Sequence, residues 1–249
     1  MRALVVVPTY NEAENLDRVL SRLHASRPDA EVLVVDDASP DGTGRIADTL
    51  AGADDRVHVM HRPAKQGLGA AYRAGFGWGL ERDYDYFVEM DADGSHQPEE
   101  LGSLLIAAED GADLVIGSRW IDGGSVVNWP RRRRIISRVG TAYARIMLGI
   151  PVHDSTAGYR VFRRRTLERI DLADIASQGY CFQIDMTRCV HAAGMSVVEV
   201  PVTFVERERG RSKMSGAIVR EALWRVTLWG LVRLVPGHRR RVGSTVGPR

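Results

Sequence analysis

The chain is 249 residues long, 44% hydrophobic and 27% charged, with a formal net charge of +2. That composition supplies one sizeable core with a C-terminal extension, and no apolar run approaches the roughly 20 residues a bilayer span requires. No secretion signal precedes the first apolar run, which stops at Pro8, so the expected location is cytoplasmic. Cys181 and Cys189 fall in one amphipathic segment and read as small core residues, not as a disulfide or metal pair.

The near-neutral total conceals a division. Residues 1–130 carry 11 basic and 23 acidic side chains, whereas residues 131–249 carry 23 basic and 9 acidic. The second half therefore faces anions: nucleic acid, an anionic membrane surface or a phosphorylated acceptor. No helix-turn-helix, zinc-finger or RNA-binding aromatic signature accompanies the arginines, which ranks nucleic acid last.

In chain order, β-rich runs at 3–7, 31–35, 57–61, 86–90 and 113–117 alternate with helical segments starting near Glu12, Thr43, Gly67 and Pro98. This order predicts a mostly parallel α/β sheet covered by helices, with the first two strands buried on both faces. The first strand leads into Pro8-Thr9-Tyr10-Asn11-Glu12, and the second into Asp36-Asp37-Ala38-Ser39-Pro40-Asp41-Gly42-Thr43. Each is a turn and an N-cap taken singly; together they suit a nucleotide, with Tyr10 and Glu12 toward a ribose or base and Asp37 accepting from base donors. Gly67, Gly69 and Gly75 serve either a close backbone approach to that ligand or a helix packed tightly on the sheet.

The fourth strand ends in Asp91-Ala92-Asp93 and turns toward Pro98-Glu99-Glu100. Such a pair is either a solvated acidic turn or a hard-cation site at the carboxyl end of a strand, where open α/β sheets bind ligands. Mg²⁺ and Mn²⁺ take carboxylate oxygens and complete their shells with water and phosphate, so the second reading implies a nucleotide diphosphate. His96, beside this turn, reads as a turn residue.

Candidate phosphate clamps are Arg119 and, from the basic half, the run Arg131-Arg132-Arg133-Arg134 with Ser137 one helical turn on, Arg207, and Ser212-Lys213. The run is equally a solvated basic turn. Lys213 stands out, because the chain has 32 arginines and only two lysines, and a compact ammonium suits a crowded phosphate site. Asp154 and Asp185 are the alternatives for a base, and each reads rather as orienting a substrate or an arginine, with Arg160 pairing with an acid. Residues 222–235 form a helix for a membrane interface or for packing on the domain or a partner, and residues 242–249 a disordered tail.

As a set, VVVPTYNEAENL, VVDDASPDGT, EMDADGSHQPEE and IGSRW resemble the inverting family 2 glycosyltransferases of the GT-A fold. DSTAGYRVF followed by FVERERGRSKM is similar to the polyprenol-phosphate (dolichol-phosphate) mannose synthases, and the likeness runs from residue 3 to about 216. The resemblance implies inverting transfer of mannose from GDP-mannose to polyprenyl phosphate. It assigns guanosine and ribose to Pro8, Tyr10, Glu12, Val35 and Asp37, and the diphosphate to Asp91, Ala92 and Asp93 through Mg²⁺ or Mn²⁺. Arg119, Arg133 and Ser137 would hold the acceptor phosphate, and Arg207 with Lys213 the donor diphosphate; the catalytic set is Asp91, Asp93, Arg119, Arg207 and Lys213. Many members have Gln where this chain has Ser95, a weaker metal ligand whose place water can take. A phosphate acceptor is its own nucleophile, so no general base is expected.

The implied organisation is a GT-A domain over 1–215, an interfacial helix over 216–236 and a basic tail over 237–249. The implied partners are GDP-mannose, polyprenyl phosphate and an anionic membrane surface or an integral membrane partner, at the inner face of the cytoplasmic membrane. Three alternatives share features with this reading. A polyprenyl-phosphate glucosyltransferase using UDP-glucose would carry nearly the same motifs, and a non-catalytic nucleotide-sugar-binding partner of a membrane complex would keep the fold. A sugar-1-phosphate nucleotidyltransferase would need a Gly-rich basic loop after the first strand, where this chain has PTYNEAEN.

Overall fold

Runs such as Leu4 to Val7 and Val32 to Val35 have no polar face, which suits a strand covered on both sides. In the computed structural model, which describes residues 2–173, 175, 180–207 and 216–234, those eight side chains are fully buried. They alternate between two cores. Val5, Val7, Val32 and Val34 face one layer and Leu4, Val6, Leu33 and Val35 the other, as the period of two in a strand requires.

The strands are β1 (Ala3–Thr9), β2 (Glu31–Asp36), β3 (Val57–His61), β4 (Tyr86–Glu89), β5 (Leu114–Ser118), β6 (Ser125–Val127), β7 (Arg160–Arg163), β8 (Val197–Pro201) and β9 (Thr203–Val205). Among the described residues, seven of them form one sheet in the order β3-β2-β1-β4-β7-β5-β8. All neighbours are parallel except β7, which runs antiparallel between β4 and β5. A small parallel pair, β6 and β9, lies apart from it. The expected α/β class, mostly parallel with helical cover, is what the chain adopts.

Helices α1 (Leu16–Ser26), α2 (Thr43–Ala53), α3 (Leu68–Leu80) and α4 (Leu101–Glu109) occupy the expected connections. The first starts four residues later than Glu12, because Asn11 takes a positive φ of 57° and Glu12 opens a turn whose carbonyl accepts from Asn15 and Leu16. Gly75 answers to packing: a Cβ there would stand 2.5 Å from Val6 Cγ1, so only a bare backbone lets α3 lie this close to β1. Later in the chain come α5 (Arg131–Leu148), α6 (Arg164–Arg169), α7 (Tyr180–Ala192) and α8 (Gly216–Leu234). Cys181 and Cys189 are free thiols on α7.

Helix α8 has one packed side and one open side. One side packs on the domain, where Val226 is buried, Tyr143 and Thr227 hydroxyls meet at 2.6 Å and Arg188 lies 5.1 Å over the Trp229 ring. The other side is open, with Trp224 70% exposed beside Leu228 and Leu231. Its neighbour α5 exposes Ile135, Ile136, Val139 and Ile146. No helix among the described residues is long and apolar enough to cross a membrane.

Candidate active site

The sheet delivers its chemistry at the carboxyl end of β4, directly beside β1 and two strands from β2. Beyond Glu89 the backbone turns through Asp91 to Gln97, with Gly94 at a φ of 76° that only glycine adopts readily. Asp93 Oδ1 accepts the Ser95 N–H at 3.0 Å, which closes the turn. His96 is no surface turn residue. Its ring is buried, stacked 5.0 Å from Tyr159 and edge-on to Phe204, and its Nδ1 accepts the Asp91 N–H at 3.0 Å. Burial pushes its pKa down to about 4, so the ring is neutral with its proton on Nε2, 3.9 Å from Asp91 Oδ2. Nothing in the sequence distinguished this role, since the stacking partner lies over sixty residues away.

The two carboxylates sit in different fields. Burial and the neighbouring Asp93 raise the Asp91 pKa, with the buried Tyr72 hydroxyl 3.4 Å from Oδ1. Burial opposes ionisation of Asp93 too, yet Arg207, at 2.8 Å from Oδ2, holds it below the usual carboxylate range. A crevice whose second acid needs a guanidinium, and whose first resists ionising, is short of positive charge. Two hard oxygen donors at that point fit a divalent cation that takes its remaining ligands from water and diphosphate; among the described residues, no cluster of three or more His, Cys, Asp and Glu offers a closed cage. The Gln97 Oε1 is engaged elsewhere, accepting from Arg22 at 2.8 Å.

The other strand ends converge on the same mouth. Glu12 is buried, its N–H bound to Thr43 Oγ1 at 2.9 Å and its carboxylate to Asn15. The half-buried Tyr10 ring has the Lys65 ammonium 4.0 Å from its centroid. Pro8 is half-buried, while the Val35 side chain is wholly in the core, leaving only its backbone to meet a ligand. Asp37 is paired with Arg62 at 2.6 Å and accepts the Gln66 N–H, an engagement the sequence did not announce. Ala92 packs into the core beneath the acidic pair.

A cavity of about 410 Å³ opens between α5 and α8. Arg119, Arg132, Arg133, Ser137 and Thr156 line its polar end, and Ile136, Tyr143, Leu223 and Val226 its apolar walls. Arg119 is buried and gripped by both oxygens of Asp154 at 2.7 Å, with Thr156 at 3.0 Å. Arg133 lies 4.1 Å over the Trp129 ring and donates to Glu206. The run of arginines is the first turn of α5, where four cations oppose the positive end of the helix dipole; an anion there is favoured by both. Trp129 was missed in the sequence, although its place next to the arginine run was a usable signal.

Two expectations meet a different outcome or fall outside view. Arg160, fully buried, makes no hydrogen bond to an acid: its N–H groups go to the carbonyls of Ser155, Ala157 and Gln183 and to Thr187, binding the 155–157 loop to α7. Its charge faces Glu89 across the β4–β7 register without a hydrogen bond. Asp185 orients Arg188 at 2.6 Å, as Asp154 orients Arg119. Ser212, Lys213, the last two residues of the expected 216–236 helix and the expected 237–249 tail lie outside the described residues.

A mostly parallel doubly covered sheet, an acidic pair at a central strand end and facing arginines define an α/β transferase of the GT-A type. Residues 4–171 match Glycosyl transferase family 2, and the chain belongs to that family. It is similar to polyprenol monophosphomannose synthase of Mycolicibacterium smegmatis, with 60% identity over 92% of this chain and 87% of the relative. It is similar to undecaprenyl-phosphate mannosyltransferase of Micrococcus luteus at 59% identity over 98% and 100%. Among solved structures, a mannosyltransferase of Pyrobaculum calidifontis in complex with GDP-Man and Mn²⁺ shares the fold with a TM-score of 0.60, at 19% identity over 93% of this chain and 63% of that one.

Proposed function

We propose that the protein transfers mannose, with inversion, from GDP-mannose to polyprenyl phosphate. The observation that carries this reading is the juxtaposition of two complementary sites, one acidic and one lined by arginines. One is the Asp91–Asp93 mouth with Arg207; the other is the α5–α8 cavity, whose arginines open onto apolar walls. A ligand with an anionic head and a hydrocarbon tail matches the second cavity in both parts. Relatives named for mannosyl transfer to polyprenol and undecaprenyl phosphate support the same acceptor class.

In this reading Tyr10, Glu12 and Asp37 with the backbone at Pro8 and Val35 hold the nucleoside. Asp91 and Asp93 hold a divalent cation, Mg²⁺ or Mn²⁺, which when bound supplies positive charge to the donor diphosphate. Arg207, with Lys213, neutralises the β-phosphate as charge develops on it. Arg119, Arg133 and Ser137 seat the acceptor phosphate, Arg119 being held rigid by Asp154. An acceptor phosphate oxygen attacks C1 of mannose, the bond from C1 to the β-phosphate oxygen breaks, and the electron pair leaves with GDP. Asp154 and Asp185 are both committed to arginines, in keeping with a reaction that needs no protein base.

The outward apolar faces of α5 and α8, flanked by arginines, support peripheral attachment to the anionic inner face of the cytoplasmic membrane, where a prenyl tail would enter the cavity. The test compares GDP-mannose with UDP-glucose as radiolabelled donors, with and without polyprenyl phosphate and metal. Label extracted into organic solvent only from GDP-mannose, acceptor and metal together supports the reading. Efficient labelling from UDP-glucose would move the function to a glucosyltransferase.

A further inference from the structure

The cation central to the acceptor cavity already has an internal anion. Arg133 donates through Nη1 to Oε2 of Glu206, and both side chains are largely shielded. The Glu206 backbone is fixed: its N–H donates to the Val127 carbonyl at 3.0 Å, and the preceding Val205 N–H donates to the Ser95 carbonyl at 3.1 Å. Its carboxylate therefore reaches Arg133 from an anchored strand end. It also lines a second, polar cavity with Arg18 and Asp93, so the side chain has somewhere to go when it leaves Arg133.

Resting on the reading above that Arg133 receives the acceptor phosphate, we infer that Glu206 is a built-in competitor for that phosphate, a positioning residue that sets acceptor affinity and drives product release. A ligand must bind the fraction of molecules in which the Arg133–Glu206 pair is open, so its dissociation constant rises by the inverse of that fraction. The penalty falls equally on acceptor and product, but the two start from different strengths. The acceptor is a phosphate monoester with close to two negative charges at neutral pH. When its oxygen bonds to C1 it becomes a diester with one, and the other negative charge departs on GDP. The diester holds a guanidinium less strongly, and the returning carboxylate takes Arg133 from it. Glu206 thus lowers acceptor affinity and shortens the stay of the product.

The experiment titrates the full chain, with GDP and Mg²⁺ present, with farnesyl phosphate and with its methyl diester as a stand-in for product. Glu206→Gln should tighten both by about fivefold, by a common factor. Arg133→Gln should weaken farnesyl phosphate, and adding Glu206→Gln to it should bring no further gain. In turnover, Glu206→Gln should lower KM for the acceptor and strengthen product inhibition without raising kcat. A merely structural role would weaken binding instead. Unchanged or weaker binding in Glu206→Gln, with the Arg133→Gln loss intact, would overturn the competition and leave the acceptor site standing. Farnesyl phosphate affinity indifferent to Arg133→Gln would overturn the acceptor site itself. Should Glu206→Gln fail to fold, Glu206→Asp, one methylene shorter, must show the same sign.

Discussion

The Arg207 guanidinium stands 2.8 Å from Oδ2 of Asp93, which links the cation proposed for the donor diphosphate to a carboxylate proposed for the metal. In the proposed reaction the metal would take Asp93 and the donor diphosphate would take Arg207. Asp93→Ala should reduce transfer on the order of 10³-fold or more. The side chain lies at the crevice and outside the core packing, so the melting midpoint should move by no more than about 3 °C. Initial rates and a thermal melt check both halves; wild-type turnover would overturn the metal assignment.

His96 acts on the same site from behind, by accepting the Asp91 N–H with a neutral ring clamped by Tyr159 and Phe204. Outer partners of this kind commonly change metal affinity 10- to 100-fold. His96→Ala should therefore raise the metal concentration for half-maximal rate by about tenfold, with KM for polyprenyl phosphate little changed. Metal titrations at saturating donor give the answer.

Asp154 is fully buried and bidentate to Arg119. Asp154→Asn leaves a buried guanidinium without its counter-charge, a change that typically costs about 3–5 kcal/mol. The variant should melt earlier in denaturant and bind acceptor more weakly, with KM for GDP-mannose affected least. Arg119→Lys should itself weaken acceptor binding, since an ammonium cannot reproduce the two-pronged geometry with Asp154.

Glu31 carries a pH dependence remote from the site. Burial opposes its ionisation, but the Tyr84 hydroxyl at 2.6 Å, Arg2 at 2.8 Å and His58 at 3.1 Å outweigh it and hold its pKa at about 2, below the ordinary 4.5. Its contribution to stability is therefore complete above pH 4.5 and lost as pH falls toward 2, where the unfolded chain binds the proton first. Glu31→Gln should lower stability at neutral pH and flatten the acid limb of the stability curve in that window, measured by denaturant melts across pH.

The parts legible in the sequence are those fixed by local pattern. β1 and β2 declared themselves because both faces are buried, and the Asp91–Asp93 turn because two acids follow an apolar run. Strand β7 was not legible: its RVFR has charged ends, and Arg160 is buried only because carbonyls of the 155–157 loop and α7 surround it. The four arginines at the start of α5 read equally as a solvated basic turn, because local electrostatics disfavours cations at a helix N-terminus. The ion pairs that tune the site, Arg119 with Asp154 and Arg133 with Glu206, join residues 35 and 73 positions apart, which only the folded sheet brings together.

Direct attack by a prenyl phosphate on C1 of mannose fixes the stereochemistry of the lipid product. The most direct test isolates that lipid, formed from GDP-mannose and polyprenyl phosphate, and determines its anomeric configuration. The expected product is a β-linked mannosyl phosphodiester, formed one for one with GDP and only with metal. An α-linked product, or GDP release with no mannose on the lipid, would contradict it.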